Sequence, residues 1–168
     1  MRSTIRAAIV AVALASVVPM STASADTGDQ HCVVHVIDKD ETGQLIVSDP
    51  ECYDTFTEAM TSEDVDAWGA DAETQVLGVV AATFTIGTHY DGANFTGASM
   101  SVVGSDCAGG WLNVSADWNN RISSTRNGCP RIRHYSGANL TGITQDTVTP
   151  GGNLTTLNNL TSSIRYLT

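Results

Sequence analysis

A nine-residue pattern occurs twice in this chain, as His89-Tyr90-Asp91-Gly92-Ala93-Asn94-Phe95-Thr96-Gly97 and as His134-Tyr135-Ser136-Gly137-Ala138-Asn139-Leu140-Thr141-Gly142. Each copy is followed by the same kind of polar hexapeptide, Asn119-Asn120-Arg121-Ile122-Ser123-Ser124 and Asn158-Asn159-Leu160-Thr161-Ser162-Ser163. A repeat of about 40–45 residues is one supersecondary unit used twice, and two such units can bury a shared face. Within the repeats, Thr83–Ile86, Ser99–Val103, Trp111–Val114, Arg131–Tyr135, Thr144–Val148 and Ser163–Leu167 read as short strands separated by Gly, Asn and Ser turns. Four strands per repeat predict an antiparallel sandwich. Gly97 and Gly142 fall where the folded hairpin needs a positive φ or a close backbone approach.

Charge divides the chain. Residues 26–82 hold fourteen acidic residues against one basic residue, Lys39, whereas residues 83–168 hold four acidic residues and five arginines. Such a shift marks a change of module. Neither half carries the basic footprint that phosphate contacts need, so nucleic acid is excluded as a partner.

The N-terminus has the form of a secretory signal. Arg2 and Arg6 precede the short apolar run Ala7–Val18, and Ala23-Ser24-Ala25 is an A-x-A cleavage site. The run is shorter than a membrane span of about 20 residues. Secretion, cleavage after Ala25 and no membrane association are therefore expected. Four cysteines remain: Cys32, Cys52, Cys107 and Cys129. In an exported chain they point to disulfides. Three pairings are open, and Cys32–Cys52 with Cys107–Cys129 is favoured because each staples one half. Zinc is the competitor, but no C-x-x-C spacing is present.

Between the signal and the repeats, Cys32–Ile37 and Leu45–Val47 read as a hairpin across the Lys39–Gly43 turn. Asp54–Met60 reads as a helix capped by Asp54 or Thr55. The expected organisation is a signal peptide (1–25), a small acidic α+β module linked by a disulfide (26–82), and a Greek-key sandwich (83–168, repeats 83–127 and 128–168). His31 and His35 are four apart on a strand, about 13 Å, too far to share a metal. No G-x-S-x-G or H-E-x-x-H motif is present, and no enzyme activity is expected.

On Tyr90–Phe95–Gly97 and Tyr135–Leu140–Gly142 the C-terminal half resembles the βγ-crystallin family, with Leu140 in place of the second aromatic residue. The resemblance implies that a serine late in each unit, Ser124 or Ser163, packs over the folded hairpin. Microbial members carry a calcium signature of Asn/Asp, Asn/Asp, two variable residues, Ser/Thr and Ser, and both hexapeptides satisfy it. It implies two cross-clamped calcium ions. One takes the carbonyls of Ala93 and Asn119 and the hydroxyl of Ser162, and the other takes those of Ala138 and Asn158 and of Ser123. Asn120 and Asn159 complete the two Asn-Asn turns.

Calcium is a hard cation that takes six to eight oxygens, backbone carbonyls included. The third hexapeptide positions, Arg121 and Leu160, offer no oxygen, so binding on the order of 10⁻⁴ to 10⁻³ M is expected. The alternative is that both loops are plain turns whose side chains bond their own backbone.

The primary expectation is a secreted, non-enzymatic, monomeric, calcium-binding protein of bacterial origin. The alternative is a protease inhibitor or killer-toxin-like effector on the same fold, with Ser105–Gly110 as the exposed loop beside a cysteine. A third reading makes residues 26–82 a pro-segment.

Overall fold

The computed structural model describes residues 28–61 and 82–168. The signal stretch, its cleavage site and the acidic run from Ser62 to Asp71 lie outside the described residues.

Eight strands come from the repeats, four from each, in the order β4 (Phe84–Tyr90), β5 (Ser99–Gly104), β6 (Trp111–Asn113), β7 (Ser124–Asn127), β8 (Arg131–Gly137), β9 (Thr141–Val148), β10 (Gly151–Asn153) and β11 (Ser163–Leu167). The third strand of each repeat crosses to the other sheet: β6 pairs with β11, and β10 pairs with β7. This exchange is the Greek key, and it makes the two repeats share one interior. Within the repeats the sheets run β10-β7-β4-β5 and β6-β11-β8-β9.

The apolar residues of the repeats meet between the sheets. Ile86, Val102, Ile122, Ile132, Ile164 and Tyr166 are almost wholly buried there. Full burial of a side chain of this size is worth about 1.5–3 kcal/mol relative to exposure, so this shared core dominates the stability of the sandwich.

The N-terminal segment extends the first sheet. Strands β1 (His31–Lys39), β2 (Leu45–Val47) and β3 (Glu51–Tyr53) precede helix α1 (Phe56–Thr61). The expected β1–β2 hairpin forms, with Asp40 accepting from the Thr42 and Gln44 amides to close its turn. β1 also pairs in parallel with β5, His31 opposite Ser99 through His35 opposite Val103. Its inward-facing Val34 joins the sandwich core, while Val33 and Val103 on the opposite face pack with Ala59 of α1 and with Tyr53. Among the described residues no helix is long and apolar enough to cross a membrane.

The helix start is a capping box. The Thr55 hydroxyl accepts from the Glu58 amide at 3.1 Å, and the Glu58 carboxylate accepts from the Thr55 amide at 3.2 Å. Two otherwise orphaned amides are satisfied reciprocally. Thr55→Ala should therefore cost about 1 kcal/mol, read as a lower urea midpoint. An unchanged midpoint would show that packing alone holds α1.

Both favoured disulfides are present, Cys32–Cys52 and Cys107–Cys129, and no described cysteine is free. The first joins directly opposed residues of β1 and β3. The second ties the β5–β6 connection to the start of the second repeat, between β7 and β8.

Candidate functional site

The two hairpin motifs fold identically. Asn94 and Phe95 have φ of 56° and 63°, and Asn139 and Leu140 have 55° and 60°. Gly97 and Gly142 follow at +78° and +84°, where an added Cβ would collide with the side chains of Asp91 and Ser136. One serine closes each fold. The Ser124 hydroxyl accepts from the Phe95 amide at 2.9 Å and donates to the Gly92 carbonyl at 2.7 Å. Ser163 does the same for the Leu140 amide at 3.1 Å and the Gly137 carbonyl at 2.6 Å. The Tyr90 and Phe95 rings meet edge to face at 5.9 Å. In the second repeat Leu140 takes the place of that ring without altering the backbone. Residues 84–167 thus form a two-repeat Greek-key sandwich with the folded hairpins that the resemblance to βγ-crystallins implies.

Residues 89–147 of this domain match peptidase inhibitor family I36. No curated protein sequence matches the chain. Among solved structures, the chain is similar to the N-terminal domain of Protein S, with 24% identity over 49% of this chain and 94% of that one, at a TM-score of 0.40. It is similar to a βγ-crystallin domain from Clostridium beijerinckii at 21% identity, 49% and 99% coverage and a TM-score of 0.41. For a βγ-crystallin domain from Flavobacterium johnsoniae the values are 28%, 48%, 91% and 0.35.

The hexapeptides lie against each other. The Asn120 amide donates to the Thr161 carbonyl at 3.0 Å, and the Asn159 amide donates to the Ile122 carbonyl at 2.9 Å. These are equivalent bonds exchanged between the loops. Asn120 and Asn159 both take positive φ, 60° and 55°. The Ser123 hydroxyl donates to the Asn159 side chain at 2.9 Å. The Ser123 and Ser162 amides donate to the Tyr90 and Tyr135 carbonyls, both at 2.8 Å, three residues before Ala93 and Ala138.

The two loops are thus tied to each other and to the hairpins by backbone and serine bonds. The Ala93 and Ala138 carbonyls each accept one hydroxyl, from Thr96 at 2.8 Å and from Thr141 at 2.7 Å. A carbonyl has two lone pairs, so each keeps one acceptor site. Asn119 and Asn158 are exposed at the loop tips.

Arg121 is held in place by its own partners. Its guanidinium pairs with Asp91 at 2.7 Å, donates to the Asp117 carbonyl at 3.1 Å and lies over the Trp118 ring at 5.0 Å. The Asp91 carboxylate offsets its charge. Leu160 is exposed.

Ser105, Asp106 and Ala108 of the Ser105–Gly110 turn are exposed, and the turn is firmly anchored. Asp106 accepts from the Ala108 amide at 2.7 Å and from Lys39 at 3.1 Å, and these bonds, the amide first, hold its carboxyl below the usual range. The Gly109 carbonyl accepts from Arg165 at 3.1 Å, and the Trp111 amide donates to the Gly43 carbonyl at 3.0 Å. The turn and the β1–β2 hairpin turn therefore form one braced surface, closed by the Cys107–Cys129 disulfide.

Two side-chain pairs escaped the sequence reading. Asn153 accepts from the Asn94 amide at 2.7 Å and donates back to its side chain at 2.9 Å, and Asn113 treats Asn139 the same way at 2.7 and 2.8 Å. Each asparagine pins a hairpin tip to the third strand of the other repeat. Their equivalent places in the two repeats were the available signal. His31 bonds the Ser99 hydroxyl at 2.9 Å.

Proposed function

We propose that this protein is an exported, non-enzymatic peptidase inhibitor built on a βγ-crystallin domain. The observation that supports this is the match of residues 89–147 to peptidase inhibitor family I36. That segment contains the braced Ser105–Gly110 turn and both cysteines of its disulfide. An inhibitor gains affinity when its contact loop is already rigid, because little ordering entropy is lost on binding. The turn has that property through Asp106, Arg165 and the disulfide. Two disulfides also fit an oxidising, extracellular setting.

The test is a panel of metallo-, serine and cysteine peptidases assayed against micromolar intact protein. Saturable inhibition of one class is expected, weakened by Ala108→Trp at the exposed tip. If no class is inhibited, the reading fails.

The bonds exchanged between the hexapeptides favour a second property, two weak calcium sites. Ala93, Asn119 and Ser162 would hold one ion, and Ala138, Asn158 and Ser123 the other, with Asn120 and Asn159 shaping the turns. Calcium at ten times its Kd should stabilise the fold by roughly 1.4 kcal/mol. Calorimetry should count about two ions at a Kd on the order of 10⁻⁴ to 10⁻³ M, and Ser162→Arg should remove one while the chelator-treated melting point stays put. Neither heat nor a melting shift would mean that Arg121 and Leu160 disable the loops.

A further inference from the structure

The first sheet is wider than the second. β1, β2 and β3 extend it beyond the repeats, and at that side Gln44, next to β2, bridges to Trp111 of β6. Between Val34, Val47 and Cys52 of this extension and Ser115, Asp117 and Trp118 of the β6–β7 connection the packing is incomplete. A cleft of about 600 Å³ results. Val34, Met100 and Trp118 line its apolar part, and each retains between 5% and 7% exposure. Clefts of this size at the junction of two structural units are the usual form of a ligand site.

The rim is charged. Asp29, Asp91, Asp117 and Arg121 line the same cleft. Arg121 is already paired with Asp91. Neither Asp29 nor Asp117 carries an ion pair among the described residues. An apolar floor beneath two uncompensated carboxylates complements an amphipathic cation: the body leaves water on the floor, and the charge stays at the mouth, where low-dielectric walls strengthen its attraction.

We propose that this cleft binds a peptide segment of a protein partner in which an aromatic side chain lies beside an arginine. The aromatic ring fills the space over Met100 and against Trp118, and the guanidinium reaches Asp29 and Asp117. The site uses neither the Ser105–Gly110 turn nor the oxygens of the hexapeptide loops, so it stands or falls apart from the inhibitor and calcium readings.

The test uses the intact protein with isotope-labelled methionine methyls and tryptophan indoles, titrated with acetyl-Phe-Arg-amide and, separately, acetyl-Phe-Glu-amide. Saturable shifts of the Met100 methyl and Trp118 indole are expected with the arginine peptide. Affinity should be about tenfold lower for the glutamate peptide and should fall with added salt. The exposed pair of changes Asp29→Asn and Asp117→Asn should weaken the arginine peptide about fivefold, a modest charge effect at a wet rim, without moving the melting temperature. Absence of shifts at Met100 and Trp118 up to millimolar peptide overturns the proposal. So do equal affinities for the two peptides, or an affinity indifferent to the Asp29→Asn, Asp117→Asn change.

Discussion

Lowering the pH from 7 to 4 should cost the fold about 3 kcal/mol through His134 alone. His89 and His134 hold equivalent places in the two repeats and meet edge to face between the sheets at 5.7 Å, both wholly buried. Burial drives the His134 pKa from 6.5 down to about 3, with the Asp146 charge opposing the shift weakly. Burial, and then repulsion from His134, lowers His89 well below its ordinary value. Both folded-state values lie beneath the unfolded one. The stability is therefore complete above pH 6.5 and drains away as the pH falls toward 3.

The two histidines should answer mutation differently. His89 is bonded at Nδ1 to Thr125 and at Nε2 to Tyr166, both at 3.0 Å, whereas neither ring nitrogen of His134 has a hydrogen-bond partner. His134→Leu should leave stability at pH 7 within about 1 kcal/mol and remove much of the acid sensitivity, because it strands no polar group. His89→Leu orphans two buried hydroxyls and should cost about 2–4 kcal/mol at pH 7. Urea melts of both variants at pH 7 and 4 decide this. Equal losses at pH 7, or an acid slope unchanged by His134→Leu, would refute it.

Ser124→Ala and Ser163→Ala should each destabilise by about 2–4 kcal/mol, since each removes a wholly buried hydroxyl that satisfies one backbone amide and one carbonyl. The matched geometry of the repeats predicts similar losses. Losses below about 0.5 kcal/mol would place the hairpin's stability in Gly97 and Gly142 instead, a range that surface changes also reach.

The paired motifs made the sandwich legible, because a nine-residue pattern used twice with seven identical positions leaves few other folds open. The capped helix and the β1–β2 hairpin were readable from local chemistry: Thr55 with Glu58, and the Asp40 turn between apolar runs. Strands β7 and β10 were not. Ser124-Thr125-Arg126-Asn127 and Gly151-Gly152-Asn153 show no apolar alternation, and their pairing is imposed by the exchange between repeats. β3 was hidden for a like reason: Glu51, Cys52 and Tyr53 carry no strand pattern and are placed by the disulfide partner opposite. The wide cleft was equally invisible, since it depends on where β1 docks. Of the candidate loops, composition marked both hexapeptides, while the bonds between them required three dimensions.

The parallel alignment of β1 with β5 has a consequence for solubility. Every residue of Ser99–Gly104 is buried, and on one side its backbone is covered only by a strand some 68 positions earlier in the chain. Removing that strand would lay bare a six-residue ribbon of unsatisfied amides and carbonyls flanked by Met100, Val102 and Val103. Such a ribbon recruits other chains. β1 thus occupies the edge where a second molecule would otherwise add its own strand.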